Sequence, residues 1–215
     1  MLDRILSSPS VRSYIELADA PLAALGYTDH GIAHVSLVSA RAGELLASLG
    51  YSEGEVELAR IAGYLHDIGN LVNREGHSQS GALLAFSLLR ELGMSPEDTA
   101  AVVTAIGNHD EGEGEPVSPI AAALILADKS DVRRSRVRQD GDFDIHDRVN
   151  FSVLSSSLAP SEDGRYITLD LAIDTAVSPV LDYFEIFLDR MLLCRRASVR
   201  LGRAFRLVIN GQVLL

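Results

Sequence analysis

The sequence contains a single cysteine, Cys194, and no tryptophan. One cysteine cannot form an internal disulfide or the thiolate cluster of a structural zinc site, and this scarcity is typical of a reducing compartment. Any metal site must therefore be built from histidine and carboxylate side chains. We expect the protein to be cytoplasmic.

Long apolar runs are also missing from the chain. No stretch approaches the roughly 18 consecutive apolar residues that a membrane-spanning helix requires. The N-terminal segment, MLDRILSSPSVRSYIELADA, lacks the long uncharged apolar core of a secretion signal. The sequence therefore predicts no association with a membrane.

Basic residues are scarce. The chain has 19 lysine and arginine residues against 30 aspartate and glutamate residues, a formal net charge of −11. Non-specific binding to a nucleic-acid backbone relies on Lys and Arg that displace counterions, so we expect no long nucleic acid as partner. A small anionic substrate stays compatible, because metal ions and a few arginines can reverse the field inside one cleft.

The length and composition are those of an ordinary globular protein. At 215 residues, with 47% hydrophobic and 23% charged residues, the chain can form one well-buried core and a smaller appended unit. We expect a helical domain over residues 1–137, with its core at about 28–134, and a second small domain.

The first part of the chain has the apolar period of helices. The pattern predicts helices over residues 28–49, 52–66, 78–92, 96–109 and 120–129. Thr28 is expected to cap the first helix and Gly50 to end it. Ser52 and Glu55 form a capping box at the start of the second helix.

After residue 137 the pattern changes. Residues 138–149 are polar and predict a linker, and the following alternation over residues 151–158 and 167–173 predicts a pair of strands. Ser178-Pro179 starts a long amphipathic helix, and Asn210-Gly211 predicts a final hairpin. The fold class is therefore mainly α, with a small C-terminal α+β domain of ββαββ order over residues 150–215.

The long C-terminal helix is very apolar for so small a unit. Tyr183, Phe184, Phe187 and Met191 stand at helical spacing, which favours a role in the core over contact with a cofactor. Part of this face is expected to pack on the helical domain or on a second subunit. We expect a homodimer, with the C-terminal domain serving in dimerisation or regulation.

Histidines are concentrated in the helical part. Five of the six lie between residues 30 and 109, and most stand beside predicted helix ends: His30, His34, His66, His77 and His109. A lone histidine is more often a surface or core residue than a ligand, but side chains at helix ends can converge. Asp67, next to His66, and Asp128 add carboxylates. Such a mixed N/O set suits iron, manganese, cobalt, nickel or zinc better than magnesium.

These residues resemble the HD superfamily of metal-dependent phosphohydrolases. The ordered pattern of that family is His, then His-Asp, then often two further His, then Asp. The segments that carry the resemblance are AHVSLVSARA, GYLHDIGN, EGHSQSGALLA, AIGNHDEG and LILADKSD. The resemblance covers about residues 28–134 and implies the helical bundle of an HD domain.

The resemblance also implies a site for two divalent metal ions. The ligands of the first would be His34, His66, Asp67 and Asp128. Asp67 would bridge to a second ion, which His77 and His109 would complete. A water or hydroxide between the ions would be the nucleophile, since two cations lower the pKa of water and clamp phosphate oxygens.

Three further residues are predicted to act on the substrate. His30 is similar to the non-ligand histidine that protonates the leaving oxygen in related cyclic-nucleotide phosphodiesterases; the alternative is a capping or surface histidine. Lys129 and Arg133 follow Asp128 and are expected to bind phosphate, with a solvated helix face as the alternative. Asp131 is equally suited to pair with the arginines or to act in the chemistry.

The chain departs from the family pattern at two positions. Asn70 stands where many members have lysine after His-Asp-x-Gly, which removes one expected cation. Asp110 stands where the subgroup that cleaves cyclic di-nucleotides has a second histidine, and the Gly-Tyr-Pro segment of that subgroup is missing. Cleavage of a cyclic di-nucleotide is therefore disfavoured.

The sequence thus predicts a metal-dependent phosphohydrolase that acts on a small phosphorylated metabolite, with a nucleotide favoured. Two other functions stay open: a di-iron oxygenase with the same six ligands, and a signalling protein whose HD domain senses a nucleotide while the C-terminal domain contacts a partner.

Overall fold

The computed structural model describes residues 1–138 and 143–214. Within these residues the α-helices are α1 (Leu2–Leu6), α2 (Pro9–Ala24), α3 (Ile32–Ser48), α4 (Glu53–Leu65), α5 (His77–Glu91), α6 (Pro96–Gly107), α7 (Pro119–Lys129), α8 (Ile145–Ser152) and α9 (Val180–Arg200). The strands are β1 (Val153–Pro160), β2 (Tyr166–Ile173), β3 (Ala204–Ile209) and β4 (Gln212–Val213). The predicted fold class, mainly α with a small C-terminal α+β part, is confirmed. No helix in the described residues is long and apolar enough to cross a membrane.

Helix α7 is the central element of the helical part. It is apolar on all sides, and its residues 120–127 are buried. Helices α3, α4, α6 and α9 pack around it. A helix without a polar face is stable only when it is enclosed in this way, so α7 fixes the positions of the helices that surround it.

The capping signals of the sequence are borne out at α4. The side-chain oxygen of Ser52 accepts a hydrogen bond from the backbone N–H of Glu55 at 3.3 Å, and the carboxylate of Glu55 accepts one from the backbone N–H of Ser52 at 3.1 Å. This reciprocal pair satisfies two N–H groups that have no partner inside the helix.

The predicted start of α3 at Thr28 is wrong. The helix begins at Ile32, with Gly31 as its cap. The preceding residues are held in an extended path by distant groups: Asp19 accepts from the backbone N–H of His30 at 2.8 Å, and Arg136 donates to the carbonyl of Asp29 at 2.8 Å. Long-range hydrogen bonds therefore override the local capping signal.

The four strands form one sheet in the order β1-β2-β3-β4. Strand β1 pairs antiparallel with β2, β2 pairs parallel with β3, and β3 pairs antiparallel with β4. Helix α9 is the crossover between the two parallel strands. Asn210 and Gly211 both have positive φ, 52° and 78°, as the predicted two-residue hairpin turn requires.

Helix α9 joins the C-terminal part to the helical part. It packs against α7 on one side and β3 on another. Tyr183, Phe187 and Met191 are at most 3% exposed, and Phe184 is partly buried against them, so their predicted place in the core is confirmed. One apolar core runs through both parts.

The predicted linker over residues 138–149 needs a correction. Helix α8 begins inside it, at Ile145, and continues to Ser152, which the sequence pattern had placed in a strand. The carboxylate of Asp144 caps α8 by accepting from the backbone N–H of Asp147 at 2.9 Å. The rest of the prediction falls partly on residues 139–142, which lie outside the described residues.

Gly69 provides a test of how closely the segment after α4 approaches the start of α5. A Cβ at this position would collide with the carbonyl oxygen of His77 and with the backbone nitrogen of Gly81. We expect Gly69→Ala to lower the free energy of unfolding by about 2 kcal/mol, because backbone atoms would have to move. Urea denaturation measures this.

The matched control is Gly54→Ala. A Cβ at Gly54, in the first turn of α4, would meet open space. Because alanine is the better helix former, we expect stability to be unchanged or up to about 1 kcal/mol higher. Equal losses in both variants would contradict the close approach at Gly69.

Candidate metal centre

The structure brings all six predicted ligands into one cluster. They come from the start of α3, the end of α4, the start of α5, the segment after α6 and the last turn of α7: His34, His66, Asp67, His77, His109 and Asp128. All are buried except Asp128, whose side chain is 12% exposed. Their role as ligands stays a prediction; their convergence is a property of the fold.

Four of these side chains surround one point. The Nε2 atom of His34 lies 3.3 Å from Nε2 of His66, 3.5 Å from Oδ2 of Asp67 and 3.4 Å from Oδ1 of Asp128. The Nε2 atom of His66 lies 3.4 Å and 3.6 Å from the same two oxygens. Neighbouring ligands about 2.0–2.2 Å from one ion are spaced in this way.

A second group of donors lies on the other side of Asp67. The Nε2 atom of His77 is 3.2 Å from Nε2 of His109 and 3.5 Å from Oδ1 of Asp67. Donor atoms of His66, Asp67 and His109 also lie within 4.8 Å of one another. Asp67 therefore turns one oxygen to each group, so its carboxylate could contribute a ligand atom to both.

The four imidazole rings are oriented by hydrogen bonds at Nδ1. The Nδ1–H of His34 donates to Oδ2 of Asp131 at 2.8 Å. The other three donate to the backbone carbonyl three residues earlier: His66 to Gly63 (2.9 Å), His77 to Arg74 (3.0 Å) and His109 to Ile106 (2.7 Å). With Nδ1 committed in this way, Nε2 is the nitrogen that each ring turns toward the cluster and would offer to a metal ion.

The charges of the cluster favour a cation at its centre. Oδ2 of Asp67 is buried and has no hydrogen-bond partner among the described residues. Burial alone would lower the pKa of His66, but Asp67 and Asp128 raise it to about 10. Burial would raise the pKa of Asp67, but His66 and His34 hold it well below its usual range. The cluster therefore requires positive charge at its centre, either a proton on Nε2 of His66 or a divalent metal ion that replaces this proton.

Asp131 is a positioning residue that the sequence left undecided. Besides holding His34, its carboxylate accepts hydrogen bonds from Arg133, and Arg136 donates to its backbone carbonyl at 2.7 Å. It is fully buried, which would raise its pKa, but His34 and the arginines lower the pKa below its ordinary value. Asp131 therefore stays charged and fixes the ring of the first ligand.

A cavity of about 470 Å³ opens beside the cluster. Its walls include metal-cluster residues, the loop after α2, and residues of α8 and α9. Among the described residues, the cations that line it are Arg74, Lys129, Arg136 and Arg190. Arg133, which the sequence predicted to bind substrate, is engaged with Asp131 instead and is not one of them.

Lys129 was also predicted to bind substrate, and the structure places it at the cavity wall. Its Nζ lies 2.8 Å from Oδ2 of Asp128 and 3.4 Å from Glu111. Glu111 in turn accepts from Arg190 of α9 at 2.7 Å. Lys129 therefore orients a predicted ligand and connects it to the C-terminal part of the chain.

His30 lines the cavity but does not lie on α3, as the sequence predicted. It stands in the extended segment before Gly31, and its Nδ1–H donates to the carbonyl of Thr28 at 2.6 Å. Its ring centroid is 5.5 Å from that of His34. Burial and the charge of Arg136 hold its pKa well below the usual value, so the ring is neutral at pH 7.

Sequence reasoning missed the three arginines of the cavity. Arg74, Arg136 and Arg190 are far apart in the chain and belong to different elements. Arg136 lies in the basic stretch after Asp128, which was a usable signal. No local pattern marks Arg74 or Arg190, because only the folded chain brings them to the same cavity.

Residues 31–133 match the sequence model of the HD domain family. The chain contains an HD domain. The match begins just before α3 and ends beyond α7, so it includes all six residues of the cluster. HD domains form a superfamily of metal-dependent phosphohydrolases, and the His and Asp groups of this HD domain have the donors to hold metal.

Two curated proteins show similarity to this chain. An uncharacterized protein of Methanocaldococcus jannaschii is 26% identical over 159 residues, which are 63% of this chain and 61% of that protein. Ribonuclease Y of Oceanobacillus iheyensis is 32% identical over 117 residues, 53% of this chain and 20% of that protein. The chain thus spans about three fifths of one relative and one fifth of the other.

Asp131 allows a test of ring orientation by metal affinity. We expect Asp131→Asn to weaken binding of Mn²⁺ or Co²⁺ by about 10- to 100-fold, because the charged partner of His34 is lost. Titration of the purified protein with metal measures this. Asp163→Asn, in the exposed turn between β1 and β2, is the control; equal affinities in both variants would contradict the role of Asp131.

Proposed function

We propose that this HD protein is a phosphohydrolase that uses two divalent ions to cleave a phosphate ester or anhydride of a small metabolite, with a nucleotide favoured. The bridging arrangement of Asp67 between two pairs of histidine Nε2 atoms carries the proposal. The ions, once bound, supply a hydroxide nucleophile at neutral pH and neutralise phosphate oxygens.

The cavity supports binding of an anion in spite of the net charge of the chain. Arg74 and Arg136 stand next to the cluster, where the carboxylate of Asp67 faces the metal positions. The side chain of Arg74 is 30% exposed, and the nearest described carboxylate oxygen to its guanidinium, Oδ1 of Asp67, is 3.8 Å away. Arginine can donate two hydrogen bonds to phosphate oxygens, which fits this position.

We propose His30, which lines the cavity, as the group that exchanges a proton with the leaving oxygen. Because its Nδ1–H is used by Thr28, its Nε2 is the nitrogen free to act. The ring is neutral before an anion binds. A phosphate nearby raises the pKa of an imidazole, so proton uptake would accompany substrate binding. His30 would then return this proton to the ester oxygen as the bond to phosphorus breaks.

A small substrate is preferred over RNA, although one relative is named a ribonuclease. The similarity to Ribonuclease Y covers 20% of that protein, and the net charge of this chain is −11. A cytoplasmic location and a homodimer stay predictions. In favour of a homodimer, α9 leaves Leu181, Leu188 and Val199 at least half exposed.

The first test is Asp67→Ala. Because both predicted ion positions share this carboxylate, we expect turnover to fall by at least about 10³-fold and metal content to drop. Phosphate release from a nucleotide panel, and from a short RNA, is measured with added manganese, cobalt, iron or nickel. Elemental analysis gives the metal per chain. Full activity in Asp67→Ala would refute the mechanism.

The same measurements separate the alternative functions. Two bound irons, oxygen consumption and no hydrolysis would identify the di-iron oxygenase. Tight nucleotide binding without turnover in any metal would identify a sensing protein. Asp163→Ala, remote from the cavity, controls for general effects of losing a carboxylate.

His30→Ala tests the proton donor. We expect turnover to fall by about 10²-fold while metal content stays at the wild-type value, because His30 is not a predicted ligand. The rate is compared for a substrate with a poor leaving group and one with a good leaving group such as p-nitrophenol. An equal loss on both substrates, or loss of metal, would contradict a role as general acid.

A further inference from the structure

The outer side of helix α9 carries a narrow stripe of exposed residues. Its members recur at intervals of four and three residues from the first turn of the helix to the last: Leu181, Glu185, Leu188, Leu192, Arg195 and Val199. At 3.6 residues per turn they fall within an arc of about 80°. Leu181 and Val199 are 75% and 66% exposed, and Leu188 is half exposed. This spacing is typical of the contact surface between two helices that pack along each other.

The inner side of α9 is the one that packs within the chain. It contacts α7, α8 and the sheet, and its buried residues include Tyr183, Phe187 and Met191. The residues of the stripe are exposed instead. Single exposed leucines are ordinary on a protein surface, but four apolar side chains in one row indicate a surface that binds another molecule.

The stripe contains one charge of each sign, Glu185 and Arg195. Within the described residues, the ion pairs of α9 are made by other side chains, Asp182, Arg190 and Arg196. Glu185 and Arg195 are both exposed and lie at equal distances along the helix from position 190, one toward each end. Both charges are therefore available to a molecule that binds the stripe.

The stripe is complementary to a second copy of itself that runs in the opposite direction. When two copies of α9 are antiparallel and centred on position 190, residues of the two copies lie level in three combinations: Leu181 with Val199, Glu185 with Arg195, and Leu188 with Leu192. A two-fold axis at this position makes each contact twice, as a symmetric dimer requires. A parallel pair would instead place Glu185 beside Glu185 and Arg195 beside Arg195, where like charges repel.

We propose that a second copy of this chain binds the stripe, so that two α9 helices pack antiparallel across a two-fold axis at position 190. This assigns a surface and an orientation to the homodimer that the sequence predicts. The apolar side chains form the contact, and the two ion pairs between Glu185 and Arg195 select the antiparallel orientation. Because one helix from each copy offers less area than a standard protein interface, the dissociation constant is expected in the micromolar range.

The dimer leaves the cavity beside the metal cluster open. Arg190, which lines this cavity, lies on the opposite side of α9 from the centre of the stripe. Each copy therefore keeps its own cavity on the inner side of α9 and its dimer contact on the outer side. The proposal is independent of the proposed hydrolysis, because association is measured without metal or substrate.

The first test changes an apolar residue of the stripe. In Leu188→Glu a carboxylate replaces an apolar contact on each side of the axis, so we expect the dissociation constant of the dimer to rise by at least about 100-fold. Sedimentation equilibrium over about 1 to 300 µM protein measures this. Leu83→Glu, at a 71% exposed position of α5, is the matched control and should keep the wild-type constant. A wild type that is monomeric over the whole range, or equal effects of the two substitutions, would overturn the proposal.

The second test reverses the charges. Glu185→Arg and Arg195→Glu each place like charges at the same level of the interface, so each should raise the dissociation constant by about fivefold or more at low ionic strength. The double variant Glu185→Arg/Arg195→Glu restores opposite charges and should return to within about threefold of the wild type. A double variant that is as weak as the two single changes combined would show that these residues do not pair.

The third test determines the orientation by cross-linking Leu181→Cys with Val199→Cys. In the antiparallel pair these two positions meet, whereas each is separated from its own copy by the length of the stripe, about 27 Å. Mild oxidation of an equal mixture of the two variants should therefore link one to the other, and either variant alone should stay unlinked. The native Cys194 is buried and does not interfere. Linkage of Leu181→Cys to itself would show a parallel pair and refute the two-fold axis at position 190.

Discussion

Four imidazole rings are held with their Nε2 atoms facing one another in two pairs, and the rest of the site follows from that constraint. Their Nδ1 protons are committed to three backbone carbonyls and to Asp131. A ring cannot turn its proton inward without losing such a bond. Two facing lone pairs repel unless a proton or a cation lies between them. The affinity of the cluster for positive charge therefore depends on the backbone carbonyls that orient the rings as well as on the rings themselves.

The ends of helices supply the acceptors that orient two of these rings. The last carbonyls of an α-helix have no partner inside the helix, and His66 and His109 use them as acceptors at the ends of α4 and α6. The same hydrogen bond thus completes a helix and orients a ligand. Because α7 is buried on all sides, the distance between these helix ends cannot change without disturbing the core.

The sequence was informative where local rules decide the outcome. Capping at Ser52, the turn at Asn210 and the ligand pattern around His66 all depend on near neighbours. It failed where distant residues decide: the segment at His30 is extended because Asp19 and Arg136 hold it. Arg133 was predicted to bind substrate, but in the folded chain its guanidinium is hydrogen-bonded to Asp131. The charge of the cavity wall depends on how α8 and α9 pack on the rest of the chain. The apolar period of the sequence does not predict this packing.

The cavity is lined by residues from two parts of the chain, and only one of these parts matches the HD domain family. The six predicted metal ligands all fall inside residues 31–133, the stretch that matches the HD domain family, whereas Asp147, Phe187 and Arg190 lie beyond it. Similarity over the HD domain alone therefore extends to the cluster and not to this part of the cavity wall. Substitutions on α8 and α9 can therefore change the cavity wall without changing any of the six predicted ligands.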